Sequence, residues 1–153
     1  MHKVTKNIAK LEHVAELSTR LREDDINELK AMGYNPIEGL LHSFILSDRC
    51  YSVFVDGELA AMYGIGKFTK GWGIVWMLGS DNLFKAPLRE FITLPKLVIK
   101  NWLTEYDVIF NKVDTRNKTH VNWLRHLGFT FGGSEIINGV EFKQFFKTKE
   151  RGK

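Results

Sequence analysis

The sequence predicts one α/β (α+β) domain, built on a mixed, mostly antiparallel sheet with helices on both faces. Three observations carry this. Helix-period segments fill the first third of the chain. Asp56-Gly57 and Asn138-Gly139 each separate two β-rich runs, as tight hairpin turns do, because a type I′ turn needs positive φ at both central residues. Between those hairpins, strand-like and helix-like runs alternate, which calls for helices packed on both sides of a sheet with some parallel pairing.

The elements follow in order. Leu11, Val14, Leu17, Ser18 and Leu21 share one face of a helix expected over Ala9–Arg22. Asp24 and Asp25 are expected to cap a second, short helix carrying Ile26, Leu29 and Met32, with Gly33 as its stop. Pro36 suits the first turn of a third helix, bearing Ile37, Leu40, Leu41, Phe44 and Ile45. The period then changes. Cys50–Val55 and Glu58–Lys67 read as a hairpin, and Gly73–Leu78 as a central strand buried on both faces. A long helical stretch, Pro87–Tyr106, contains Pro95, which must kink or restart it. Strand Val108–Val113, helix Lys118–Leu127 ended by Gly128, and a last hairpin, Phe129–Ile137 with Val140–Lys147, complete the chain.

The chain has 153 residues, 44% hydrophobic and 26% charged, which is the size and composition of a single globular domain. We expect that domain over residues 1–147, with 148–153 as a basic flexible tail. Cys50 is the single cysteine, which excludes an intramolecular disulfide and suits a reducing compartment. Met1–Lys10 has no apolar signal core, and apolar runs such as Ile74–Leu78 are far too short to cross a membrane. The expectation is a soluble intracellular protein that is not secreted. The net charge is +4. Lys143, Lys147, Lys149, Arg151 and Lys153 stand against Glu150 alone in the last eleven residues, so the remainder is balanced. That distribution argues against a basic groove, and so against nucleic acid as a partner.

Asp114-Thr115-Arg116-Asn117, followed by Val121 to Phe129 with its Gly128-Phe129, resembles the C-terminal motif of the GCN5-related N-acetyltransferases (the GNAT family). Asp56-Gly57-Glu58-Leu59-Ala60-Ala61 resembles that family's turn between its second and third strands. The resemblance in element order covers nearly the whole chain and implies a GNAT-like fold. A narrower likeness rests on Gly79-Ser80-Asp81, Val113 to Asn117, and Trp123-Leu124-Arg125 to Gly128-Phe129. These are similar to a group of tailed-phage proteins related to a small internal virion protein of short-tailed coliphages. That likeness implies a catalytically degenerate GNAT-fold protein serving virion assembly. Its partners would be phage structural proteins, and its location the host cytoplasm or the virion. The alternative is an acetyl-CoA-dependent N-acetyltransferase acting on an amine.

The resemblance implies cofactor-binding positions at Leu78, Gly79, Lys85, Arg89 and Asn117, with acetyl-CoA as cofactor under the enzyme reading. The family's glycine-rich pyrophosphate loop is reduced here to Gly79, while Asp81 adds negative charge and Pro87 offers no N–H. Lys85 and Arg89 either compensate for this or are simply solvated residues at a helix start. The family's thiolate acid is a Tyr at the position of Leu124, which has no proton to give. His120 either substitutes for that acid or is an ordinary helix histidine. The catalytic candidates are His42, Asp81 and His120, and Asp114 is a further base candidate that reads equally well as a turn residue. Cys50 reads as a buried, inert thiol, and the four tryptophans as packing residues. No His/Cys grouping has metal-ligand spacing, so no metal is expected.

Overall fold

Where the pattern changes period, the backbone changes from helix to strand, in a computed structural model that describes residues 2–86 and 88–150, with the backbone alone at Leu88 and Arg89. The strands are β1 (Val4–Ile8), β2 (Arg49–Val55), β3 (Glu58–Thr69), β4 (Trp72–Gly79), β5 (Val108–Asp114), β6 (Thr130–Ile137) and β7 (Val140–Thr148). The helices are α1 (Leu11–Ser18), α2 (Glu23–Ala31), α3 (Pro36–Leu46), α4 (Leu88–Trp102) and α5 (Lys118–His126), with a 3-10 turn over Asp81–Lys85. One sheet of seven strands results, in the order β1-β2-β3-β4-β5-β7-β6. All its described pairings are antiparallel except β4 with β5.

β4 is central, and its alternate side chains feed two cores. Leu78 packs with Val14, Leu17, Leu29, Leu40 and Met62 beneath α1–α3. Val75 packs with Ile99, Trp102, Ile109, Leu124 and Phe145 beneath α4 and α5. Both hairpin turns have the backbone their sequences demand, with positive φ at Asp56 and Gly57 and again at Asn138 and Gly139. Pro36 opens α3, and the Asn35 side chain accepts from the Glu38 N–H to cap it.

Several expectations need correction. β1 was not foreseen in the polar N-terminal stretch, yet it pairs with β2 from Val4↔Val55 to Ile8↔Tyr51. An edge strand is held by its backbone ladder, so it can lack the apolar alternation that reveals inner strands. The first helix stops at Ser18 instead of Arg22, because Leu21 leaves it to form a bridge with Ser80. Asp24 and Asp25 do not cap α2: Arg22 is its N-cap residue, with no side-chain cap bond. α4 ends at Trp102 rather than Tyr106. β7 runs through Thr148, one residue beyond the expected strand end at Lys147, and the Lys149 N–H donates to Asp107 O (2.8 Å). Pro87 and residues 151–153 lie outside the described residues.

The feature that positions the candidate site is a split in the sheet. β4 and β5 are in register only from Trp72↔Val108 to Ile74↔Phe110. Just beyond, the Asn111 side chain donates to Val75 O (2.6 Å), and the strands run on to Gly79 and Asp114 without pairing to each other, each still paired to its outer neighbour.

Candidate functional site

Two strand ends that part leave backbone donors facing a gap, and buried donors need partners. Here α2 supplies them. The Gly79 N–H donates to Asp25 Oδ2 (2.9 Å), and the Asp114 N–H donates to Glu28 Oε1 (2.9 Å). Arg22 adds a backbone bond, its N–H donating to Gly79 O (2.9 Å). One helix therefore bonds both strands across the split.

A buried polar cluster surrounds these bonds. Asp25 Oδ1 accepts from Asn117 Nδ2 (3.0 Å) and from Arg22 Nη1 (3.1 Å). Arg22 Nη2 reaches Asn117 Oδ1 (3.4 Å) and Asp24 Oδ2 (3.3 Å). Asp114 takes a forked contact from Arg116 Nε and Nη2, and Arg116 also reaches Asn27 O (3.4 Å). Arg22, Asp25, Glu28, Asp114 and Asn117 are all buried. Every buried side-chain N or O among the described residues has a partner, as a stable polar cluster requires. Burial raises the Asp25 pKa, against the lowering pull of Arg22. Burial also pushes Glu28 up to about 8, so near neutral pH it is largely protonated.

The α4–α5 side of the split is lined with rings. Phe84, Phe91, Trp123 and His120 form a chain with centroids 5.3–6.1 Å apart, and the Arg22 guanidinium lies over Phe84 at 5.1 Å. Pro95 has no N–H, so the Phe91 carbonyl four residues before it loses its helical partner. The Trp123 indole N–H donates to that carbonyl at 2.7 Å. The kink residue foreseen in α4 and a tryptophan of α5 thus tie the two helices together.

Gly79, Asn117 and Asp114 meet in the cluster. Leu78 is core, and Lys85 ends the 3-10 turn, exposed. Arg89 lies in α4, its side chain outside the described residues. Asp81 is exposed at the start of the turn, and His42 is exposed on α3, stacked on Tyr34 at 5.2 Å. Neither of these two bonds to the cluster. His120 is half-buried beside Trp123; desolvation first, and Arg22 second, lower its pKa to about 4, so it is neutral near pH 7. Leu124 is buried in the α4–α5 core. Cys50 is half-buried, and burial pushes its thiol up to about 11, which suits an inert residue.

Arg22, Asp25 and Glu28 were missed as site residues. The available signal was spacing: Asp25 lies one turn before Leu29, on the face that also carries Met32, so a carboxylate was aimed inward. The Gly79 N–H and the Asn117 side chain are already bonded to α2 and to Arg22, so in this conformation a ligand of the split would have to take over these bonds. Among the described residues no group of three or more His, Cys, Asp or Glu could hold a metal ion, and no helix is long and apolar enough to cross a membrane.

No protein-family model and no curated protein sequence matches the chain. Solved structures do. A protein of Acinetobacter baylyi ADP1 described as an acetyltransferase superposes with a TM-score of 0.71 at 15% identity, over 97% of this chain and 94% of that one. A GNAT-family acetyltransferase from Bacillus anthracis matches with a TM-score of 0.71 at 7% identity, over 96% and 95%. A spermidine N-acetyltransferase from Vibrio cholerae, solved with CoA and spermine, matches with a TM-score of 0.66 at 15% identity, over 95% of each chain.

Proposed function

With the fold that of GNAT acetyltransferases, we propose that the chain is an acetyl-CoA-dependent N-acetyltransferase acting on an amine. The supporting observation is the likeness of fold to acetyltransferases, which covers 97% of this chain in one comparison and 95% in another. In this reading the cofactor side is formed by Leu78, Gly79, Lys85, Arg89 and Asn117. The proton acceptor is drawn from His42, Asp81 and His120, of which His120, neutral near pH 7, stands on the ring-lined side of the split beside Trp123. Thermal unfolding with and without acetyl-CoA tests the reading, since a ligand of the native state must raise Tm. A rise that grows with ligand concentration supports it. No shift and no binding heat up to millimolar ligand contradicts it.

A second reading is favoured by Leu124, buried where the family resemblance expects a Tyr acid. Here the chain is a catalytically silent GNAT-fold protein of phage particle assembly. It contacts phage structural proteins in the host cytoplasm or the virion. Portal, tail or lysis genes beside its own gene, together with absence of acetyl-CoA binding, support this reading; acetyl transfer to any amine rejects it.

A further inference from the structure

The geometry points to α2 as a built-in stopper, whose Asp25 and Glu28 carboxyls occupy the backbone donors at the ends of β4 and β5 and hold the split closed against acetyl-CoA until α2 lifts. The inference rests on the acetyltransferase reading.

The first ground is the chemistry of the bonds. The Gly79 and Asp114 N–H groups point at acceptors, and both acceptors come from one helix. The pantetheine arm of acetyl-CoA is a chain of amides, whose carbonyl oxygens are acceptors of the same kind. An incoming arm would therefore exchange one acceptor for another at Gly79 and Asp114, so neither of these backbone donors is orphaned by the exchange.

The second ground is how α2 is attached. Its buried apolar side chains are Leu29 and Ala31 alone, while Asp25 and Glu28 are its other buried residues. Beyond Leu29 and half-buried Ile26 in the core beneath α1–α3, its hold is polar, through Asp25, Glu28 and the backbone of Arg22, and from outside through Arg116 to Asn27 O and Asn138 Nδ2 to Ala31 O. Such contacts can be replaced by a ligand's, whereas a large apolar face would have to be exposed to water.

The third ground is Arg22, which locks the closed arrangement. It joins Asp25 to Asn117, two residues of distant elements, and lies over Phe84 of the 3-10 turn. Removing the Asp25 charge takes from Arg22 its buried ionic partner, leaving the Asn117 oxygen and the exposed Asp24, and favours the open arrangement. A protein competent to bind only when open shows an affinity reduced by its open fraction.

The test measures acetyl-CoA affinity by calorimetry for the wild type, Asp25→Asn and Glu28→Gln. It also measures hydrogen exchange over residues 23–32 in the wild type, with and without acetyl-CoA. Asp25→Asn is expected to bind at least about tenfold tighter, while Glu28→Gln, which keeps a carbonyl acceptor for Asp114, stays near the wild type. Acetyl-CoA is expected to speed exchange in α2. Should Asp25→Asn fail to fold, the wild-type exchange decides alone. Binding with α2 exchange unchanged or slowed overturns the stopper and leaves the acetyltransferase reading standing. No binding by any of the three proteins overturns both.

Discussion

Two titratable residues at the site make opposite demands on pH. Glu28 is raised from 4.5 to about 8, mainly by burial, so across that window the folded chain holds a proton that the unfolded chain has released. Its effect is to lower stability as pH rises from 4.5 towards 8. His120 is lowered from 6.5 to about 4, so the unfolded chain binds a proton the fold rejects, and stability falls as pH drops from 6.5 towards 4. The two slopes oppose each other where the windows overlap. Tm should therefore fall more steeply from pH 6.5 to 8 than from about pH 4.5 to 6.5, where His120 offsets Glu28. Glu28→Gln should abolish the fall above pH 6.5, and a Tm profile of that variant parallel to the wild type contradicts the assignment. A different residue pair tests the tie between α4 and α5. Trp123→Phe leaves the Phe91 carbonyl without a donor and should cost about 1–3 kcal/mol by denaturant unfolding. In a Pro95→Ala background the new N–H can serve that carbonyl, so the cost of Trp123→Phe should shrink; an equal cost in both backgrounds rejects the coupling.

Elements were legible in the sequence where a local rule fixed them. Asp56-Gly57 and Asn138-Gly139 announced their turns because few other residues accept positive φ, and Pro36 announced α3 because its missing N–H costs nothing at a helix start. β1 was invisible because it is an edge strand with Val4 as its sole half-buried residue. The role of α2 was misread for a related reason. Acidic residues at a helix start are ordinarily caps or dipole partners, whereas Asp25 bonds to Gly79 and Asn117, far along the chain. The packing of α3 on β3 allows a prediction at this scale. A Cβ at Gly66 would lie 2.4 Å from the backbone oxygen of Leu46, at the end of α3. Gly66→Ala should therefore destabilise by about 1–3 kcal/mol. Gly133→Ala on β6 is the control, because nothing lies within 4 Å of its Cβ position. Equal stability of the two variants contradicts the close approach of α3 to β3.

At the scale of the molecule, sequence order yielded a mixed sheet with helices on both faces, and the sheet's central split follows from a parallel pair that ends at Ile74 and Phe110. The site at that split was half legible. Gly79 and Asn117 stood out through a family-like motif, but their partners Arg22 and Asp25 come from an element some 54 to 95 residues away, and no local pattern encodes such a meeting. The charge balance also has a place in the fold. Lys143, Lys147 and Lys149 lie on or just beyond β7, an inner strand between β5 and β6, and not along the split, whose buried charges are paired. The most direct test of the account is a calorimetric titration of the wild-type chain with acetyl-CoA. The account predicts saturable binding, weakened by the closed split and matched by a rise in Tm. A flat titration up to millimolar acetyl-CoA, from a chain shown to be folded, would contradict it.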